Sequence, residues 1–80
     1  MPEPHNRKNT QERINFGKRV KRRRQEQELT QEKLAEIAEM DCSYLSSVER
    51  GERNISLEMI LAIAKALQVS PKDLMPDSKP

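Results

Sequence analysis

The sequence predicts an all-α fold of five helices, and three observations carry that prediction. Apolar residues recur at helical spacing, most clearly as Leu57, Ile60, Ile63, Ala64 and Leu67. Residues suited to cap a helix, Thr30, Asp41, Ser56 and Ser70, stand where such windows begin. No segment alternates β-branched residues with period two, as a half-buried strand would.

The first helix is expected from about Gln11 to Gln27. Its apolar residues Ile14, Phe16 and Val20 are sparse, and Lys18, Arg19 and Lys21 to Arg24 crowd its other faces, so it can bury only a narrow stripe. Ahead of it, residues 1–9 hold two prolines and no periodicity and read as a flexible tail. Thr30 should cap the second helix, whose buried face is Leu34, Ala35 and Ala38 with Ile37 partly covering it. Asp41 should cap the third in the same way, with Tyr44, Leu45 and Val48 as its inner stripe and Gly51 as its stop. Ser56 caps the fourth. A fifth, short helix opens at Ser70-Pro71-Lys72-Asp73, with a serine cap, proline at the first position and an acid three residues after the cap. Residues 76–80 read as a flexible end, leaving 10–75 as one domain.

With 80 residues and a single cysteine, Cys42, the chain has no internal disulfide, and no Cys/His cluster has zinc-ligand spacing. Its core must be apolar helix packing, extended by a partner subunit. Neither a membrane span nor a signal peptide is expected, because no apolar run reaches the length of a span and the start is polar. With the unpaired thiol, that places the chain in the cytoplasm. The net charge of +2 conceals an asymmetry: residues 1–24 carry nine Lys/Arg against two Glu, a net +7, and the rest carries six against eleven acids, a net −5. A basic front suits a polyanion partner. No His stands near a Ser or Cys in the folded region, and there is no glycine-rich phosphate loop, so neither an enzyme nor a cofactor is expected.

The second and third helices are separated by a turn of about three residues, which fits a helix-turn-helix. Small residues at Ala35 and Ala38 would let the two helices approach, with Leu45 and Val48 filling the angle. What the third helix then offers solvent is Cys42, Ser43, Ser46, Ser47 and Arg50. A helix with a purely structural role would carry long Glu/Lys pairs on such a face.

These residues resemble the phage repressor and Cro-type (XRE) helix-turn-helix regulators. The likeness lies in Phe16-Gly17, Val20, Leu29 to Ala35, Tyr44 to Gly51 and the helix from Ser56 to Leu67, and it spans about residues 14 to 75. Among members of that family, the controller proteins of restriction-modification systems look closest, on the Tyr-Leu-Ser and Asn-Ile-Ser-Leu stretches. The resemblance implies a compact five-helix repressor-like domain that binds double-stranded DNA as a homodimer on an inverted repeat. The helix from Asp41 to Arg50 would read the major groove, with Cys42, Ser43, Ser46 and Ser47 facing base edges. Thr30, Gln31, Arg50, Arg53 and Asn54 match phosphate-contacting positions, and Gln31 could instead brace the third helix. Arg24 and Glu49 match an internal salt bridge. Helix four, helix five and the C-terminal end would supply the dimer contact, and no small-molecule effector is expected. Met59, Leu74 and Met75 read either as plain core or, as apolar residues left over from five small helices more often do, as that subunit interface. Two rivals share the fold: an antitoxin that represses its own operon, and a protein-interaction module that no longer binds DNA.

The family usually places glycine at position 39, where this chain has Glu39. Either the turn is reshaped or the second helix runs on. The short Cys/Ser reading set also departs from relatives that place Arg or Gln there, and it discriminates bases weakly. Cys42 at a helix start reads as a small side chain that fits a groove rather than a redox sensor, and His5 as incidental.

Overall fold

In the computed structural model, which describes the backbone of residues 5–75 and the side chains of residues 10–75, the chain forms four α-helices and one 3-10 turn. They are α1 (His5–Glu26), α2 (Gln31–Ala38), α3 (Cys42–Glu49), α4 (Leu57–Leu67) and the turn Pro71–Asp73. The expected fifth helix is therefore only that turn: Asp73 accepts a hydrogen bond from the Ser70 N–H at 3.2 Å, but the chain does not continue into an α-helix. Helix α1 starts ahead of Gln11, so the backbone of His5 to Asn9 is helical. The rest of the expected flexible ends, 1–4 and 76–80, lies outside the described residues.

Of the three α-helices whose N-cap residue is described, two start on side-chain chemistry. Thr30 Oγ1 accepts from Lys33 N at 3.0 Å and Ser56 Oγ from Met59 N at 3.1 Å, each satisfying a first-turn N–H. Asp41 stands at the N-cap of α3 but makes no side-chain cap bond, contrary to expectation.

Helix ends share one device. After each α-helix a residue takes a left-handed backbone, and two N–H groups reach back in the Schellman pattern. After α2, Glu39 N donates to Glu36 O at 3.1 Å and Met40 N to Ala35 O at 2.9 Å, with Glu39 at φ 59°. The turn is thus neither reshaped nor absorbed into α2; Glu39 simply adopts the glycine-type conformation. Glu28 (φ 59°) and Gln68 (φ 60°) do so after α1 and α4, and only α3 uses a glycine, Gly51 at φ 80°. The residues that follow, Leu29, Met40 and Val69, are apolar and pack on the core, the usual companion of this motif. After α3 the equivalent residue is Glu52, which is exposed.

The core is built from the inner stripes. Phe16 and Val20 of α1, Leu34 of α2, Leu45 of α3 and Ile63 and Leu67 of α4 are almost wholly buried, and Leu74 closes the base. Helix α1 packs on α3 and α4, and α2 packs on both α3 and α4. Gly17 permits the α1–α3 approach: a Cβ there would lie 2.4 Å from Val48 O and 2.6 Å from Glu49 O. Ile37 is exposed and Ala38 half-buried, so α2 buries a narrower face than its pattern suggested. Met59 and Leu74, expected at a subunit interface, belong to the core. Among the described residues, the large apolar side chains left exposed are Ile37, Leu57, Leu61 and Met75. No helix among the described residues is long and apolar enough to cross a membrane.

Candidate nucleic-acid interface

Helix α3 has only two turns, too few to hold itself in place by propensity. It is fixed from beneath by a polar network centred on Glu49. Arg24 of α1 donates from Nε to Glu49 Oε2 at 2.7 Å and from Nη2 to Oε1 at 3.0 Å, a bidentate pair whose side chains are 10% and 3% exposed. The remaining Nη1 donates to Leu29 O at 2.7 Å. Gln31, first residue of α2, donates from Nε2 to Glu49 Oε1 at 2.9 Å. One carboxylate therefore ties α1, the start of α2 and the end of α3 together. This is the expected Arg24–Glu49 bridge, with Gln31 in the bracing role. Such a paired and hydrogen-bonded buried charge defines geometry, because any other arrangement strands a charge away from water.

The outer side of α3 is open. Asp41, Ser43 and Arg50 are exposed, and Cys42 and Ser46 are half-buried. Ser47 is not part of this face. It is buried, its hydroxyl donates to Tyr44 O at 2.6 Å and accepts from Arg53 Nε at 2.9 Å, so it presents no free edge. The expectation that Ser47 faces base edges is corrected accordingly: the chain that returns after Gly51 lays Arg53 across that side of the helix. The Arg53 guanidinium also sits 5.0 Å above the Tyr44 ring, a cation–π contact, and the Tyr44 hydroxyl donates to Met59 Sδ at 3.4 Å. Tyr44, read only as an inner-stripe residue, is thus a platform that places a surface arginine.

Arg50, matched to a phosphate-contacting position, is bonded within the chain. Its Nη1 donates to Ser46 Oγ at 2.6 Å, while Nε and Nη2 donate to Glu52 Oε2 and Oε1 at 3.0 and 3.1 Å. Hydrogen bonding to Arg50 holds the Glu52 carboxyl below its ordinary 4.5, aided by the charges of Arg50 and Arg53 against some desolvation, and the same pairing raises Arg50. Glu52 carries no signal in the sequence, since residues two apart share no helix face and the pair forms only because the helix has ended. Asn54 is exposed beyond it, and Thr30, with its hydroxyl committed to the cap, is exposed at the start of α2.

The basic run of α1 lies elsewhere. Arg22 and Arg23 both approach Glu26 at 3.5 Å, and with Arg19 and Asp73 they line a shallow cavity with no α3 residue in its wall. Only Arg24 of that run turns to α3, and it is consumed in the buried bridge.

A helix-turn-helix family model matches residues 20–74, more than half of the chain. The chain is 45% identical over 64 residues to the control protein C.BamHI of Bacillus amyloliquefaciens, covering 79% of each. It superposes on the crystal structure of the restriction-modification controller protein C.AhdI from Aeromonas hydrophila with a TM-score of 0.76 and 43% identity, covering 79% of this chain and 96% of that one. The controller protein C.Esp1396I, solved as a tetramer in complex with its natural 35 base-pair operator, gives a TM-score of 0.72 at 32% identity, covering 78% of this chain and 82% of that one.

Proposed function

Because the chain belongs to this helix-turn-helix family, we propose that it is a transcription regulator of the controller type that binds operator DNA sequence-specifically. It acts in the cytoplasm as a homodimer on an inverted repeat, inserting α3 of each subunit into successive major grooves about 34 Å apart. The observation that carries this reading is a short helix pinned from beneath by the Arg24–Glu49–Gln31 network while its outer side stays polar and open. A rigid helix with a free polar face is what base-edge readout requires.

In this reading Cys42, Ser43 and Ser46 approach base edges. Thr30, Arg53 and Asn54 flank α3 and meet phosphates, with Arg53 held ready by Tyr44 and Ser47. Leu57 and Leu61, one turn apart on the exposed side of α4, and Met75 supply the dimer contact. Catalysis has no place in it.

The test is binding to duplexes selected from the region upstream of its gene, against random duplexes, at several salt concentrations. Specific binding should exceed non-specific binding by about a thousandfold or more. Arg53→Ala should weaken both and reduce the salt slope by about 0.9. Equal affinity for selected and random DNA would remove the sequence-specific claim.

A further inference from the structure

The family resemblance matches Arg50, at the end of α3, to a phosphate-contacting position. Its geometry points elsewhere. The guanidinium folds back one turn along the helix to Ser46, a residue of the outer face, and is held there at 2.6 Å. The carboxylate of Glu52 grips its Nε and Nη2 at 3.0 and 3.1 Å. A guanidinium has five N–H groups, and these contacts use three, leaving one on each Nη. Two parallel N–H donors are what an arginine presents to O6 and N7 of guanine.

Nothing in the fold demands Glu52. The cap of α3 is made by backbone, through Gly51 N to Val48 O and Glu52 N to Ser47 O, both at 3.0 Å. The equivalent positions after the other α-helices are the apolar Leu29, Met40 and Val69. As part of a phosphate contact the acid would be counterproductive. It already balances the charge of Arg50, and it would face the DNA backbone with a negative charge. Against a neutral base edge the same acid is useful, because it removes the rotational freedom of a long side chain without using the donors that face outward.

We propose that Arg50 reads a guanine in the major groove and that Glu52 is the positioning residue that fixes its guanidinium for that contact. The inference rests on the DNA-binding reading above and refines it. Cys42, Ser43 and Ser46 discriminate weakly, so Arg50 becomes the main source of direct readout, with Ser46 as part of its mount. Hydrogen bonding to Arg50 holds the Glu52 carboxyl below its ordinary value and so favours the ionised form that the pairing needs.

The experiment begins by selecting binding sites from a random duplex pool with the unaltered protein. Affinities are then measured for all four bases at each half-site position, for the unaltered protein and for Glu52→Gln, Arg50→Lys and Arg50→Gln. The expected result is one position per half-site with a guanine preference of about fivefold or more. Arg50→Lys and Glu52→Gln should abolish it at that position alone and leave the other positions and the melting temperature unchanged. Affinity for random duplexes should hold or rise in Glu52→Gln, which removes an acid from the interface. Two results would overturn the proposal: uniform loss across all bases in Arg50→Gln with a salt slope lower by about 0.9, the mark of a phosphate contact, or a guanine preference that survives Glu52→Gln. If the unaltered protein selects no sequence at all, the regulator reading fails before any variant is measured, and this one falls with it.

Discussion

Helix α3 has an arginine–glutamate pair on each side, alike in bonding and opposite in surroundings. Beneath it Arg24 and Glu49 meet through two hydrogen bonds with side chains 10% and 3% exposed; at its outer end Arg50 and Glu52 meet the same way with side chains 56% and 57% exposed. Burial decides what each can do. The inner pair cannot part without stranding a charge, so it fixes the helix. The outer pair is screened by water and salt, adds little to folding, and is free to be used in recognition. One chemical motif thus serves the scaffold on one side and, in the proposed reading, base recognition on the other.

The largest test of this contrast is Arg24→Ala, which leaves Glu49 buried with only Gln31 as partner. It should destabilise the domain by about 3–5 kcal/mol, a large part of the total for a chain this small. Urea unfolding would show it as a lower midpoint. Glu52→Gln under the same conditions should leave the midpoint unchanged. If the two variants shift it equally, burial does not separate the pairs.

Next in size is Gly17→Ala, which attacks the inner side without touching a charge. Its Cβ would fall 2.4 Å from Val48 O and 2.6 Å from Glu49 O, and both are main-chain atoms that cannot turn aside. Helices α1 and α3 must then move apart, which should destabilise by about 1–3 kcal/mol despite alanine's better helix propensity. Thermal unfolding measures the loss. A neutral outcome would mean that α3 is not held tightly against α1.

A gain is also available on the scaffold side. Glu39 sits at φ 59°, a conformation disfavoured by about 1 kcal/mol for a residue with a Cβ. Glu39→Gly should raise the melting temperature by roughly 4–8 °C per kcal/mol recovered, with DNA selectivity unchanged because the α2–α3 turn keeps its shape. A drop in melting temperature would show that Glu39 contributes something beyond its backbone.

The scaffold was largely legible in the sequence and the reading face was not, for physical reasons. Thr30, Ser56 and Gly51 declare themselves because caps depend on one residue and its neighbours, and the apolar stripes of α3 and α4 follow helical spacing. Glu39 misled because the Schellman hydrogen bonds stabilise a left-handed residue that local preference disfavours. Ser47 misled because helical spacing places it beside Ser43, whereas the chain after Gly51 folds Arg53 onto it. Arg50–Glu52 was invisible, since the pair spans a helix end where no periodic rule applies. The fifth helix failed for a simpler reason: cap signals at Ser70 and Pro71 start a helix but do not supply one long enough to continue.

The smallest expected effect concerns the outer pair itself. The folded-state value of Glu52 lies below its ordinary 4.5 because Arg50 hydrogen-bonds to the carboxylate. A carboxyl depressed on folding stabilises the fold at pH above its unfolded value and loses that contribution as pH falls through the folded one. The Arg50–Glu52 contribution should therefore be present above pH 4.5 and fade below it, while Arg50 stays charged throughout. Because the pair is exposed, the change in unfolding midpoint across that window should be slight, and the sharper readout is an NMR titration of the Glu52 carboxyl carbon in the free protein. Its midpoint should lie below 4.5 and return toward that value in Arg50→Gln. A Glu52 that titrates at its ordinary value even with Arg50 present would mean that the outer pair does not persist in solution, and the guanidinium would then have no fixed mount from which to read a base.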